Sequence, residues 1–345
     1  MIPQEGEPRW ILLGDPKKAL PVLNSWRPYY VKSRAKWSII LAATSMNALS
    51  HLPGVTKESA NIDPSYWRQH IAGYSENWVP VVHVGHSSYT RKAILFFIDE
   101  SATVKVVAKV PLTPGALGAI LNEAAVLRRM AAFDNLPHMV FEDAERGITA
   151  QSWLEGKPIA RKLSAEHIEL LSKLANEGRT TRLTDYRAAI ATSLDELDMP
   201  FDRSLLVHTL DLLDYDEELP SFVEHRDFAP WNLKQLPGGR LTLLDWEWAV
   251  ESSLPWQDIC RYFYIQDVYF SGSGKVWEQL TSNPLTQQYV RRFGIAEAAL
   301  PGLTMYYLLR VLCMDWKNTD MLLAKYTMTQ IKALYEAHRP VQVPV

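Results

Sequence analysis

The stretch from Val223 to Ala249, VEHRDFAPWNLKQLPGGRLTLLDWEWA, constrains this chain more than any other. It sets Asp227, Asn232 and Asp245, three residues with hard oxygen donors, inside a run apolar enough to call for burial. The pattern reads as a loop, a short strand, a tight turn at Pro237-Gly238-Gly239 and a second strand. Both strands are apolar, so a buried and rigid hairpin is expected. The turn brings residues just before the first strand close to residues just after the second, which allows the three polar side chains to converge. The alternative, three buried polar residues each satisfied by local backbone, demands separate partners for each. A hydroxyl that attacks a phosphoryl group needs a carboxylate to orient it and take its proton, and hard ligands for Mg²⁺ that neutralise phosphate charge. Asp227 suits the first need, and Asn232 with Asp245 the second.

The remaining pattern sorts into segments. The 345 residues, 47% hydrophobic and 22% charged, are enough for two or three compact units. Residues 1 to 78 read as an N-terminal extension: a strand-like WILLG, a helix through VKSRAKWSIILAATSMNAL, then a loop with Pro53, Gly54 and Pro64. Its first half is basic (Arg9, Lys17, Lys18, Arg27, Lys32, Arg34, Lys36), a solvated face or an anion or membrane-surface contact. From Trp78 the chain turns to strands, WVPVVHVG, KAILFFID and TVKVVAKV, followed by a helical run with Leu117, Ile120, Leu121, Ala124 and Leu127 on one face. Two more strands, MVFEDA and GITAQSWL, lead into the linker LEGKPIA. Beyond residue 160 the pattern is mostly helical.

These residues carry a resemblance. HRDFAPWN fits the H-x-D-x-x-x-x-N loop of protein-kinase-like enzymes, and LLDWEWA stands where their downstream metal-binding Asp is found. The combination HxDxxPxN, LLDWEWA and PWQDI resembles the aminoglycoside phosphotransferase and choline kinase branch of that fold. The resemblance implies an α+β, two-lobed protein-kinase-like fold: a small antiparallel-sheet N-lobe with one helix over residues 79–155, and a larger, mostly helical C-lobe over 156–345. It implies a phosphotransferase using ATP or GTP and Mg²⁺, with Asp227 as the base and Asn232 and Asp245 as metal ligands. Lys109 becomes the lysine that pairs with the nucleotide phosphates and Glu123 its helix partner, with Lys105 a competitor on the same strand face. VGHSSYTRK is the nucleotide-loop candidate, with Gly85, Ser87 and Ser88 over the phosphates, and backbone near Gln151 to Trp153 meets a purine edge. That loop departs from the Gly-rich pattern. His225 and Asp258 are expected to brace the loop.

Two further departures bear on the acceptor. Only about ten residues separate Asp245 from the PWQD segment, whereas a protein kinase carries a long peptide-docking segment there, so the acceptor is expected to be a small molecule. A sugar or glycoconjugate ranks first, an aminoglycoside-type molecule second, and choline or an amino alcohol third. Arg226 stands where many small-molecule kinases have Gly; an ion pair with Glu247 is one reading. Trp231, Trp246 and Trp248 read as packing residues, and the acidic run DLLDYDEELP as a solvated surface. The competing function is an inactive kinase-like protein that binds a nucleotide or a partner. A formal charge of −3 offers no field for nucleic acid. Two cysteines in apolar contexts, no signal-peptide order and no membrane-length apolar run point to a cytoplasmic protein.

Overall fold

The computed structural model describes residues 2–4, 7–26, 28–57 and 63–339. Arg27 of the basic stretch, residues 58–62 of the loop near Pro53 and Pro64, and residues 340–345 lie outside the described residues. The chain divides into two compact units, Met1–Ile159 with Trp231–Trp248, and Ala160–Pro230 with Ala249–Val345. The hairpin that drew the sequence reading therefore belongs to the first unit, while His225 and Asp227 belong to the second.

In the first unit, seven antiparallel strands form one sheet: β1 (Ile2–Gln4), β2 (Glu7–Leu12), β3 (Val79–Val84), β4 (Lys92–Ile98), β5 (Val104–Pro111), β6 (Met139–Asp143) and β7 (Ile148–Ser152). Their spatial order is β1-β2-β3-β4-β5-β7-β6. Residues from the N-terminal segment thus enter the sheet, with Trp10 of β2 opposite His83 of β3. Strand alternation divides the side chains between two faces. One face packs Trp10, Val81, Phe96, Ile98 and Val107 under Val22 and Leu23 of α1 (Leu20–Ser25) and Ala43 of α2 (Val31–Ser45). The other packs Val82, Leu95, Phe97, Val106 and Ala108 against Trp67 of α3 (Ser65–His70).

Helix α4 (Pro114–Arg129) follows β5 directly. Extended Thr113 precedes a Pro in the first turn, where a missing N–H costs nothing, and Arg128 and Arg129 in the last turn complement the helix dipole. Ala116, Ile120, Glu123, Ala124 and Leu127 are buried at the three- and four-residue spacing of one helical face. Glu123 is thereby carried into an apolar contact surface, which makes its partner the important question.

The first unit also holds a small three-stranded sheet of β8 (Lys157–Pro158), β11 (Leu233–Gln235) and β12 (Leu241–Leu243). The hairpin register pairs Leu233 with Leu243 and Gln235 with Leu241. Gly238 and Gly239 sit at φ 85° and 88°, a left-handed geometry that explains two consecutive glycines in the turn.

The second unit is mostly helical around a sheet ordered β13-β10-β9, from β9 (Ala175–Thr181), β10 (Leu219–Glu224) and β13 (Val250–Ser253). The short interval after Asp245 is thus partly spent on β13, which pairs antiparallel with β10. Helix Leu300–Lys317 is buried along most of its length and packs with helix Met321–His338. No single helix among the described residues is long and apolar enough to cross a membrane. A unit built on an antiparallel sheet with helices packed on it, and a mostly helical unit, make the α+β class that the resemblance implied.

Candidate phosphoryl-transfer site

In the first unit, the hairpin brings Asn232 and Asp245 together. The Leu244 N–H donates to the Asn232 carbonyl at 2.8 Å, which places Asp245 one residue beyond the last rung of the ladder. Asn232 is buried. Asp245 adopts φ 66°, a conformation that Asp tolerates better than most side chains, and its carboxylate stays about one-third exposed, at 33%.

Lys109 reaches this carboxylate. Its Nζ lies 2.7 Å from Asp245 Oδ1 and 2.6 Å from Glu123 Oε2. Glu123 Oε1 also accepts the Trp246 N–H at 3.2 Å, so α4 holds both the lysine and the segment after β12. Burial alone would lower the Lys109 ammonium, but Asp245 and Glu123 outweigh it and hold the group above the ordinary lysine value. Burial would raise Asp245, yet Lys109 and then Lys92 carry it well below the carboxylate range. Lys105, the alternative on the same strand, is exposed and pairs with Asp99 at 2.9 Å.

Lys92, the first residue of β4, escaped the sequence reading. Its Nζ donates to Asp245 Oδ1 at 3.0 Å and also to Glu247 Oε2. Burial and the charge of Asp245 push Glu247 up, with Lys92 opposing them. Five charges therefore alternate in a chain, Glu123, Lys109, Asp245, Lys92 and Glu247. The only sequence signal for Lys92 was a cation opening an otherwise apolar strand.

The other predicted contacts are placed as follows. Gly85 donates its N–H to the Lys92 carbonyl at 2.8 Å, and a Cβ at Gly85 would stand 3.0 Å from that oxygen, which accounts for the glycine. Ser87 and Ser88 are exposed in the β3–β4 loop. Gln151 is buried opposite Val107. Trp153 is partly buried, packs edge-on against Phe96 and lies under the Lys234 ammonium, 4.2 Å from its ring centroid. Trp246 is fully buried, whereas Trp248 is 49% exposed.

In the second unit, β10 delivers His225, Arg226 and Asp227 to helix Gln257–Gln266. The His225 and Arg226 N–H groups donate to the two carboxylate oxygens of Asp258 at 2.8 and 2.9 Å. Burial, then the neighbouring Glu224 charge, push Asp258 up, while those two N–H donors pull it down. His225 is fully buried and accepts the Asp227 N–H on Nδ1 at 3.2 Å. Arg261 donates from Nε and Nη2 to Asp227 Oδ1 at 3.2 and 2.8 Å. Below the loop, buried Glu224 accepts from Arg310 through both terminal nitrogens and from Ser253 at 2.6 Å. Arg261 and Arg310 were both missed; the available hint was a single arginine in each of two aromatic-rich helices.

Arg226 corrects the sequence reading. Its ion pair is with Glu224, at 3.6 Å, and Glu247 is engaged by Lys92 instead. Arg226 also has φ 66°, the region glycine enters freely and other L residues enter at a cost of about 1–2 kcal/mol. That conformation explains why a glycine suits this position in the family the motif resembles. Arg226→Gly is expected to leave stability within about 1 kcal/mol of wild type, because relieved strain offsets the added freedom of the unfolded chain. Arg226→Val should be the less stable of the two in urea denaturation. Equal stability of the two variants would refute the left-handed assignment.

The donor set fits a hard divalent cation: one carboxylate and one amide oxygen, on adjacent hairpin ends. No group of three His, Cys, Asp or Glu side chains among the described residues is placed to hold a metal. Neither a protein-family model nor a curated protein matches the chain. Solved structures do. Choline kinase LicA from Streptococcus pneumoniae is similar with a TM-score of 0.52 at 12% identity, over 74% of this chain and 92% of that one. A thermostable mutant of aminoglycoside phosphotransferase APH(4)-Ia gives 0.52 at 14%, over 74% and 95%. Plasmodium vivax ethanolamine kinase gives 0.51 at 11%, over 94% and 95%. At such identities the likeness is one of architecture, and with the order of strand lysine, helix glutamate, loop aspartate and hairpin aspartate it leads to one conclusion: this chain has the protein-kinase-like fold.

Proposed function

We propose that this chain is a cytoplasmic phosphotransferase that moves the γ-phosphoryl group of ATP or GTP to a hydroxyl of a small molecule, with a sugar or glycoconjugate ranked first and an aminoglycoside-type acceptor second. The observation that carries the reading is the buried pairing of Lys109 with both Glu123 and Asp245. A structural ion pair needs one lysine and one carboxylate; a lysine held between two, one of them part-exposed, is poised to exchange a carboxylate for phosphate. In this reading Asp227 orients the acceptor hydroxyl and accepts its proton, and Lys109, fixed by Glu123, binds a phosphate oxygen. Asn232 and Asp245 hold Mg²⁺, which supplies charge neutralisation on the phosphates when bound. Gly85, Ser87 and Ser88 contribute the loop over the phosphates, and Gln151 and Trp153 flank the base. Use of the Asp245 to Pro255 interval for β13 supports a small acceptor, since that stretch is already committed to a sheet. Two free, buried cysteines fit a reducing compartment.

A second reading, a catalytically inactive nucleotide- or partner-binding protein, has one observation in its favour. The face of the sheet that bears Lys109 also packs Trp10, Val22, Leu23 and Ala43, leaving less of that face to receive a base. One experiment separates the two. Sugars, aminoglycosides and amino alcohols are offered with Mg²⁺ and γ-labelled ATP or GTP, alongside direct nucleotide-binding measurements. The phosphotransferase reading expects label on an acceptor, lost in Asp227→Asn. Nucleotide binding without transfer to any acceptor supports the inactive reading.

A further inference from the structure

We propose that Lys92 is a second phosphate-binding lysine of this site, acting beside Lys109 on the nucleotide's terminal phosphates. The inference rests on the phosphotransferase reading and adds a residue to it. Lys92 and Lys109 lie on neighbouring antiparallel strands, with Lys109 opposite Ile94, two residues from Lys92, so both side chains leave the same face. Their side chains are only 11% and 5% exposed, and both ammonium groups bond one oxygen, Asp245 Oδ1, at 3.0 and 2.7 Å. Any phosphate oxygen that takes the place of that carboxylate on Lys109 is within reach of Lys92 as well.

Charge balance points the same way. Three carboxylates face two ammonium groups in the cluster, and a divalent cation on Asp245 would turn its net charge from negative to positive. The ammonium groups displaced from Asp245 then need anions, and a triphosphate supplies them. Burying a second lysine for architecture alone is costly, because an apolar or neutral pair of the same volume serves equally well. Lys92 is also tied to the loop proposed to cover the phosphates: its carbonyl accepts the Gly85 N–H at 2.8 Å, closing the base of the β3–β4 loop. One residue therefore sets both the loop's root and a positive charge beneath it.

The test is calorimetric binding of AMP, ADP and ATP with Mg²⁺ to wild type, Lys92→Met, Lys92→Arg and the double variant Lys92→Met/Glu247→Gln. The double variant removes the carboxylate that Lys92→Met would strand, so at least one variant lacking the charge retains a balanced core. Loss of one charge-assisted contact should weaken ADP and ATP binding about 10- to 100-fold. AMP affinity should stay near the wild-type value, and Lys92→Arg should recover most of the loss. Equal weakening of all three nucleotides, or no weakening in either variant lacking the lysine, would overturn the assignment while leaving the phosphotransferase reading in place. Failure of wild type to bind any nucleotide would overturn both.

Discussion

Asp227→Asn should lower phosphoryl transfer by about two to four orders of magnitude, the range for loss of a positioned general base. The substitution keeps the shape of the side chain and an oxygen that Arg261 can still address from helix Gln257–Gln266. It also leaves untouched the two backbone N–H donors that fix the loop on Asp258. Melting should therefore change little while turnover collapses, and nucleotide affinity should persist, because the groups proposed to bind phosphate are others. Steady-state kinetics with the acceptor identified by the screen, combined with a melting curve, checks the prediction. A variant that keeps most of its kcat would remove Asp227 from the role of base. Arg261 gives the prediction a second edge. Its guanidinium bonds Asp227 Oδ1 from two nitrogens and thereby orients the carboxylate, so Arg261→Met should lower kcat as well.

The largest stability effect is expected at Arg310→Met. Glu224 is 2% exposed, and burial by itself would drive it towards the neutral form; Arg310, then Arg226 and the Ser253 hydroxyl, hold it ionised below the ordinary value. Removing Arg310 strands a buried carboxylate, for which about 3–5 kcal/mol is the usual cost. Urea denaturation measures it. Because Glu224 ends β10 and immediately precedes His225, the loss should also loosen the loop that carries Asp227. The double variant Arg310→Met/Glu224→Gln is expected to recover much of the stability, since it removes the stranded charge rather than the packing. Near-wild-type stability of Arg310→Met alone would show that Ser253 and Arg226 suffice.

Several features were legible in the residues themselves. The hairpin after Asn232 followed from two short apolar runs and a Pro-Gly-Gly turn, whose glycines take the left-handed conformations that such a turn requires. The helix carrying Glu123 followed from a three- and four-residue apolar spacing with a proline at its start. The strand carrying Lys109 was clear as well, though period-two alternation left Lys105 and Lys109 equivalent. Burial separated them, one in a pair of carboxylates inside the fold and the other at the surface with Asp99.

The N-terminal segment shows the limit of local pattern. Its strand and helix were readable, but its pairing with β3 was not, because β2 and β3 are separated by more than sixty residues and nothing in either strand names its neighbour. The polar partners follow the same rule. Asp227 finds Arg261 34 residues on, Glu224 finds Arg310 86 residues on, and Lys92 finds Asp245 153 residues on.

Local chemistry thus determined the kinds of element and the residue types able to work on a phosphate: an acid in a loop, an amide and an acid on a hairpin, a lysine on a strand and a glutamate on a helix. Tertiary structure decided which charges neutralise which. Backbone propensity and apolar period act over a few residues and leave a periodic mark, whereas a buried ion pair depends only on where two side chains end in space and leaves none.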